Sequence, residues 1–323
     1  MITGAIVVAP QPRKTNDMNI IERIIRTVRG GGASLLLVIA LASSAAAQSA
    51  SRIVFDGYFR NVRRIWAMND DGSGTVLLTN SKKSVGDFQP AWSPGQQYIA
   101  FYRYGGKTGS HGPTGIFVME AKGEANGGRT FQVSNAFGLV GLDWSPDGTR
   151  ILFTQNVNGA DDIFVVTVDF VNGAGINPTP LTATPLNEFY PKWSPDGNRI
   201  AFVRCLNPPG SSTCGEGLFI LDLATGSEIG PFAVAFAPSY LNWSPDGSRI
   251  AFSGAGGIYL MNSDGSNVTF TNISAGQPAW SPDGTAIACQ SNQNGQAGIY
   301  RVNLATGAFK LLKLYGYDPD WSP

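Results

Sequence analysis

Short hydrophobic runs bounded by turn-forming residues recur along the chain from residue 51 onward. The run Arg199 to Phe202, for example, combines β-branched and aromatic side chains and is too short for a helix. A second kind of run carries an aliphatic residue followed by an aromatic one. This pair occurs at Ile65-Trp66, Ile116-Phe117, Ile163-Phe164, Leu218-Phe219, Ile258-Tyr259 and Ile299-Tyr300. Both patterns predict β-strands joined by tight turns rather than helices.

The tripeptide Trp-Ser-Pro punctuates these strands and occurs six times. Its tryptophans are Trp92, Trp144, Trp193, Trp243, Trp280 and Trp321, at intervals of 52, 49, 50, 37 and 41 residues. Repeats of about 40–50 residues are typical of propeller blades, which can contain four strands each. The repeat therefore predicts an all-β fold, a six-bladed β-propeller with four antiparallel strands per blade.

The two ends of the chain complement each other within this repeat. Residues Ser51 to Phe55 resemble the second strand of a blade that lacks its first, whereas the sixth Trp-Ser-Pro ends at Pro323 with no strand after it. We expect the N- and C-terminal strands to share the closing blade, because closure removes the exposed strand edges of an open ring.

The N-terminal segment has the pattern of a secretory signal. Arg23 and two further arginines precede an apolar run at residues 33–41, and small residues follow at 45–47. The apolar run is short for a membrane span, so a retained membrane anchor is the alternative rather than the first interpretation. Export is therefore expected, to the periplasm or the medium.

These features predict two segments. Residues 1–47 form a signal peptide cleaved near Gln48, and residues 48–323 form the propeller, with no membrane span after cleavage. Residues 1–17 are interpreted as an upstream extension from a misplaced start.

Composition and charge restrict the partners. The 40 Gly and 20 Pro, with 14% charged residues, suit a chain of many strands and tight turns. Removal of residues 1–47 leaves 18 basic and 21 acidic residues, and no run of Lys or Arg. Nucleic acid is not an expected partner, because its binding depends on neutralising phosphates.

The full repeat resembles the WD-like repeat of the TolB β-propeller family. Its motif, Trp-Ser-Pro-Asp-Gly-x-x-Ile-Ala-Phe followed by Ile-Tyr-x-Met, stands complete from Trp243 to Met261, and the resemblance covers residues 51–323. It implies a propeller that engages a protein at one end of its channel, as TolB engages the peptidoglycan-associated lipoprotein. TolB also has an α/β domain ahead of its propeller, which is not expected in this chain.

The cysteines are expected to differ in state. Cys205 and Cys214 lie at the end of a predicted second strand and just before the third, which are antiparallel neighbours. Export to an oxidising compartment then favours a disulfide between them, worth about 2–3 kcal/mol. Cys289 replaces the Phe of a second strand and is expected to be a buried free thiol.

Little in the sequence suits catalysis or metal binding. It holds one histidine, His111, and no Gly-x-Ser-x-Gly motif, so a serine hydrolase is not expected. The Asp of each Asp-Gly turn is expected to accept local hydrogen bonds. The segments Asn69 to Gly74 and Asn262 to Asn267 faintly resemble calcium loops but lack the downstream Glu. No catalytic residue, metal or cofactor is predicted.

The partner is expected to bind where loops enter each first strand and join each second strand to its third. These loops vary in length, whereas the Trp-Ser-Pro turns are uniform, and variable loops on a rigid scaffold commonly carry function. The predicted partner-binding residues are Phe88, Gln89, Phe189, Tyr190, Tyr240, Gln277, Tyr317 and Asp318. The residues expected to line the channel are Asp143, Lys192, Asn242 and Asp320. Alternatively, the aromatic side chains only cap the blades.

Together these features favour an exported, monomeric, non-catalytic scaffold that binds a protein or peptide of the cell envelope. The alternative is a polysaccharide lyase or glycan hydrolase that uses channel-facing carboxylates. Acids that converge in a pocket favour catalysis, whereas scattered acids favour binding. The two interpretations are therefore distinguished by the positions of Asp143, Glu188, Asp318, Asp320 and His111. A third interpretation is a structural module in a larger envelope assembly.

Overall fold

The computed structural model describes residues 51–81, 85–105, 113–136, 141–210, 213–232 and 236–322. The predicted signal peptide over residues 1–47, the predicted cleavage point and His111 lie outside these ranges. Within the described ranges, no helix is long and apolar enough to cross a membrane.

In the described part of the chain, 24 strands form six antiparallel sheets of four strands each. Blade 1 contains β4 (Gly86–Trp92), β5 (Tyr98–Tyr104), β6 (Gly115–Glu120) and β7 (Thr130–Ser134), with a 3₁₀ turn at Glu124–Asn126. Blade 2 contains β8 (Leu142–Trp144), β9 (Arg150–Val157), β10 (Ala160–Asp169) and β11 (Ala174–Pro180). Blade 3 contains β12 (Glu188–Trp193), β13 (Arg199–Cys205), β14 (Glu216–Asp222) and β15 (Glu228–Phe232).

The other three sheets follow the same order. Blade 4 contains β16 (Ser239–Trp243), β17 (Arg249–Gly254), β18 (Gly257–Asn262) and β19 (Thr269–Ile273). Blade 5 contains β20 (Gly276–Trp280), β21 (Ala286–Gln293), β22 (Gln296–Asn303) and β23 (Phe309–Leu314). Blade 6 contains β24 (Gly316–Trp321), β1 (Arg52–Phe59), β2 (Val62–Asn69) and β3 (Val76–Leu77). The predicted all-β, six-bladed propeller is confirmed.

The first strand of each blade faces a central channel. These inner strands contact one another in sequence from β4 through β8, β12, β16 and β20 to β24, and β24 also contacts β4. Their N-terminal ends meet at one end of the channel, and their Trp-Ser-Pro turns meet at the other. We call the first end the loop face and the second the turn face.

The closing blade joins the two ends of the described chain. Strand β24 pairs with β1 in antiparallel register, with Ile53 opposite Trp321. The Arg52 N–H donates to Ser322 Oγ at 2.8 Å, and the Ser322 N–H donates to the Arg52 carbonyl at 2.8 Å. The predicted sharing of one blade by the terminal strands is confirmed.

The repeated tryptophans lie buried between neighbouring blades. Trp144 Nε1 donates to the Ala91 carbonyl at 3.1 Å, and Trp243 Nε1 donates to the Lys192 carbonyl at 3.1 Å. Guanidinium groups lie 5.0–5.7 Å from the ring centroids, with Arg52 over Trp92, Arg150 over Trp193, Arg199 over Trp243, Arg249 over Trp280 and Arg301 over Trp321. Cation–π contacts of this kind contribute about 0.5–1 kcal/mol each. These rings therefore hold blades together.

The Asp of each Asp-Gly turn has a local role. Asp246 Oδ1 accepts hydrogen bonds from Ser244 Oγ at 2.5 Å and from the Ser248 N–H at 3.0 Å. These bonds lower the pKa of Asp246 to about 2, because they stabilise the carboxylate. Equivalent bonds occur at Asp147, Asp196 and Asp283. The turns are thereby uniform, and the turn face is regular.

Candidate functional site at the channel mouth

In each blade, the residue three positions before the Trp of the inner strand has an unusual backbone. Its φ is positive in all six blades: Gln89 (47°), Gly141 (108°), Tyr190 (54°), Tyr240 (50°), Gln277 (55°) and Asp318 (46°). Five of the six inner strands also shift register here against the second strand of their blade. Such a bulge re-aims the side chain it carries. We call these six residues the mouth ring.

The mouth ring surrounds the loop-face end of the channel and nearly closes it. The Tyr190 and Tyr240 rings lie 4.6 Å apart between centroids, and Gln277 Nε2 donates to Asp318 Oδ1 at 2.5 Å. The Gly141 N–H donates to Gln89 Oε1 at 3.4 Å. The cavity they line has a volume of about 70 Å³, which holds only a few water molecules.

Glycine is required at one place in the ring. Gly141 has a φ of 108°, which L-residues rarely adopt, and a Cβ there would lie 2.8 Å from the Tyr190 Cα. Blade 2 therefore contributes no side chain to the mouth ring, and the Gly141 N–H instead donates to the side chain of the neighbouring Gln89.

The predicted partner-binding residues fall into two groups. Gln89, Tyr190, Tyr240, Gln277 and Asp318 meet in the mouth ring. Phe88, Phe189 and Tyr317 lie farther out: the two phenylalanines pack against the blade cores, and Tyr317 contacts the Tyr58 ring at 6.2 Å. The structure thus brings five of the eight residues together.

The four predicted channel residues lie below the mouth ring, around a wider cavity of about 380 Å³ that opens on the turn face. They are Asp143, Lys192, Asn242 and Asp320. Lys192 Nζ lies 3.1 Å from Asp143 Oδ1. Burial opposes the charged ammonium, but Asp143 and Asp320 outweigh it and raise the pKa of Lys192.

The acceptor side chains of this set also connect neighbouring blades. Asp320 Oδ2 accepts the Trp92 N–H at 2.7 Å, and Asp143 Oδ2 accepts the Trp193 N–H at 2.7 Å. Asn242 Oδ1 accepts the Trp280 N–H at 3.2 Å. The bonds therefore join blade 6 to blade 1, blade 2 to blade 3, and blade 4 to blade 5.

The same carboxyls carry perturbed acidities. Burial raises the pKa of Asp320 to about 6, although the Lys192 ammonium and the Trp92 N–H oppose the shift. Burial likewise raises the pKa of Asp143. Burial thus favours the neutral form of both carboxyls.

The propeller is similar to known proteins in both sequence and fold. A sequence model of the TolB beta propeller domain matches residues 171–323. The crystal structure of TolB from Acinetobacter baumannii shares 18% identity and a TM-score of 0.63, covering 84% of this chain and 67% of that one. The structure of the putative TolB from Agrobacterium tumefaciens shares 18% identity and a TM-score of 0.60, covering 82% and 89%. The chain carries a TolB-like β-propeller.

The chain is also similar in fold to an enzyme of known structure. Oligogalacturonate lyase in complex with manganese shares 15% identity and a TM-score of 0.53, covering 82% of this chain and 74% of that one. At such identities the likeness shows the fold alone. No curated protein matches the chain.

One charged cluster of the TolB-like propeller was not predicted from the sequence. Asp56 is fully buried below the mouth ring and accepts the Gln89 N–H at 3.3 Å. Arg63 forms an ion pair with Asp56 and lies 3.3 Å from Asp318 Oδ2. The Arg63 guanidinium also lies 4.7 Å from the Tyr317 ring centroid. We call Asp56, Arg63 and Asp318 the closing-blade cluster.

This cluster holds two carboxyls with raised pKa values. Burial raises the pKa of Asp56 well above its ordinary value, repulsion from Asp318 adds to the shift, and Arg63 opposes it. Burial also raises the pKa of Asp318. The sequence does contain a sign of this cluster. Asp56 directly follows the apolar run Ile53 to Phe55, and the other five blades have Tyr, Thr, Val, Ser or Gln at the position of Asp56.

Glu188, considered as a catalytic acid, lies inside blade 3 and lines neither channel cavity. Its carboxylate accepts the Arg204 Nε–H at 2.8 Å and the Thr184 hydroxyl at 3.2 Å, and Arg204 Nη1 donates to Glu228 at 2.6 Å. Blade 1 repeats this network with Asp87, Arg103 and Glu124. The network joins strands within a blade.

The cysteines have the predicted states. Cys205 and Cys214 form a disulfide with their Cα atoms 4.8 Å apart, which confirms the predicted pair. Cys289 is buried and free, and burial raises the pKa of its thiol to about 12. Among the described residues, no group of three or more His, Cys, Asp or Glu side chains could hold a metal ion.

Proposed function

We propose that this TolB-like propeller is an exported, non-catalytic scaffold that binds a protein or peptide partner over the mouth of its channel. The mouth ring is the observation that carries the proposal. Five of its residues hold a left-handed backbone although they are not glycine. Such strain persists where the surrounding structure enforces it, and it concentrates at functional sites.

The chemistry of the mouth suits a polypeptide. Tyr190 and Tyr240 offer aromatic faces with hydroxyl groups, and Gln89 and Gln277 offer amides that can donate to or accept from a peptide backbone. Rigid Tyr side chains are enriched at the centres of protein interfaces. Because the cavity beneath is only about 70 Å³, the partner lies across the mouth and inserts no more than a small group.

The disulfide supports an extracytoplasmic site of action. Bonds such as Cys205–Cys214 persist in oxidising compartments and are rare in the cytosol. We place the protein in the periplasm or outside the cell. The partner in this proposal is an envelope protein of the class of the peptidoglycan-associated lipoprotein.

Catalysis is not part of the proposal, because each acid near the channel has an internal partner. Asp143 and Asp320 accept backbone N–H groups, and Asp318 contacts Gln277 and Arg63. Incubation with oligogalacturonate, with and without manganese, should give no unsaturated product. Turnover above background, lost on Asp318→Asn, would replace the scaffold with the polysaccharide-active alternative.

Site-specific photo-crosslinking in the producing organism tests the binding face. We would place benzoylphenylalanine at Tyr58 or Tyr315, which are 60% and 66% exposed on the loop face. Matched control positions are the exposed Thr149 and Asn198 on the turn face. The proposal expects the same envelope protein to be captured from both loop-face positions and from neither control. Capture from the turn face alone would overturn the assignment of the binding face.

A further inference from the structure

A third cavity opens on the loop face between blades 3 and 4, beside the channel mouth. Its volume is about 370 Å³, and its walls include Phe189, Tyr190, Val203 and Pro238. Tyr190 also belongs to the mouth ring, so this cavity and the channel share one side chain. A ligand in the cavity therefore lies directly next to the mouth.

The aromatic walls are held in fixed orientations. The Phe189 and Tyr190 rings lie 6.4 Å apart between centroids with an angle of 57° between their planes. Both pack against the buried apolar cluster of blades 3 and 4, which includes Val203. The left-handed backbone of Tyr190, with a φ of 54°, sets the direction of its ring. The cavity thus presents two aromatic faces at an angle to each other.

Glu216 is the charged residue that lines this cavity. It stands opposite Cys205 in the pairing of β13 with β14, two residues after Cys214, so the disulfide fixes the loop that leads to it. The nearest arginine in sequence, Arg204, is already paired with Glu188 and Glu228. In the described part of the chain, Glu216 itself forms no ion pair.

An aromatic cavity with a carboxylate at its edge selects one kind of side chain. Lys and Arg have apolar stems that pack on aromatic walls, and their cationic heads are attracted to both ring faces and carboxylates. The electrostatic environment of Tyr190 also favours a cation in the cavity. Burial, Tyr240, Asp318 and Glu216 all raise the pKa of the Tyr190 hydroxyl. An anionic side chain would be repelled by the carboxylate of Glu216.

We propose that the cavity between blades 3 and 4 receives a lysine or arginine side chain from an extended partner segment that continues past Tyr190 onto the channel mouth. This inference rests on the proposed function and names the chemistry of the partner. A Lys or Arg occupant satisfies the single carboxylate of the cavity, which an apolar occupant would leave buried without a partner.

Saturation-transfer NMR with small capped amino acids tests the cavity without the natural partner. The probes are N-acetyl-N′-methylamides of lysine, arginine, norleucine and glutamate, titrated into the propeller. Norleucine has the apolar stem of lysine without its charge. We expect lysine and arginine to bind about fivefold more tightly than norleucine, as one screened ion pair allows, and glutamate to show no saturable binding.

Matched variants locate the binding. Glu216→Gln should weaken lysine binding about fivefold and leave norleucine unchanged. Phe189→Leu should weaken the lysine, arginine and norleucine probes. Glu120→Gln is the control, because it removes a carboxylate that is paired with Lys122 in blade 1, outside the cavity. Equal binding of lysine and norleucine, or lysine binding unaffected by Glu216→Gln, would overturn the proposal. The loop-face crosslinks would remain in that case, so the proposed function would fall only with their loss.

Discussion

Replacing Asp320 by Asn should make the propeller more stable at pH 8 and leave its stability unchanged near pH 4. The Asp320 carboxylate bridges blade 6 and blade 1 by accepting the Trp92 N–H at 2.7 Å. Blade 4 makes the equivalent bridge with an amide, Asn242, which accepts the Trp280 N–H at 3.2 Å. Asn is therefore able to keep the bridge while it removes the charge.

The magnitude follows from the acidity of Asp320. Its pKa is about 6 in the folded protein, against about 4 for an Asp in an unfolded chain. Because the pKa of Asp320 is raised in the folded state, its contribution to the free energy of unfolding is fully present below pH 4. This contribution is lost as the pH rises through 6. The difference between these two pKa values corresponds to about 3 kcal/mol of folding free energy. Asp320→Asn should recover most of this loss above pH 7.

Urea denaturation of the two proteins at pH 4.5, 6 and 8 measures the effect. Asp246→Asn is the matched control with the opposite sign, because the pKa of Asp246 is lowered to about 2 and its stabilisation is present above pH 4. That variant should be less stable than wild type at pH 8. The reasoning fails if Asp320→Asn destabilises the protein at pH 8, or if its effect is the same at all three pH values.

Three further changes have defined outcomes. Truncation before Gly316 removes β24 and should lower the thermal unfolding midpoint or prevent folding; an unchanged midpoint would show that the closing blade does not need this strand. Non-reducing peptide mapping should recover Cys205 joined to Cys214 and Cys289 free, whereas recovery of three free thiols would contradict the structure. Arg63→Met leaves the two carboxyls of the closing-blade cluster without their cation and should cost about 3 kcal/mol at pH 8 in urea denaturation. The loss of unfolding free energy should become smaller toward pH 5, because the carboxyls become neutral. A loss that does not depend on pH would refute the role given to Arg63.

The architecture was predictable because the repeat encodes each blade locally. The Trp-Ser-Pro-Asp-Gly turn, the apolar second strand and the aliphatic–aromatic third strand each have a pattern that neighbouring residues determine. The disulfide was predictable for the same reason, since β13 ends at Cys205 and its neighbour β14 begins two residues after Cys214. These features depend on short-range geometry.

The packing of the mouth was less predictable. Sequence position placed Phe189 beside Tyr190 as a second exposed anchor, but Phe189 packs on the core of its blade. The contact between Arg63 and Asp318 depends on ring closure, which brings strand β24 beside β1. Stacking of Arg301, from a third strand, on Trp321 likewise depends on contact between blades. Such contacts follow from tertiary proximity and have no local signature.

The affinity of the crosslinked envelope partner for mouth variants tests the central claim most directly. The variant replaces Tyr190, Tyr240 and Tyr317 by Ala, and the control replaces the turn-face residues Thr149 and Asn198 by Ala. Surface plasmon resonance on folded proteins should show that the triple variant binds more than tenfold more weakly and that the control binds like wild type. Unchanged affinity of the triple variant, with its fold intact, would contradict partner binding at the channel mouth.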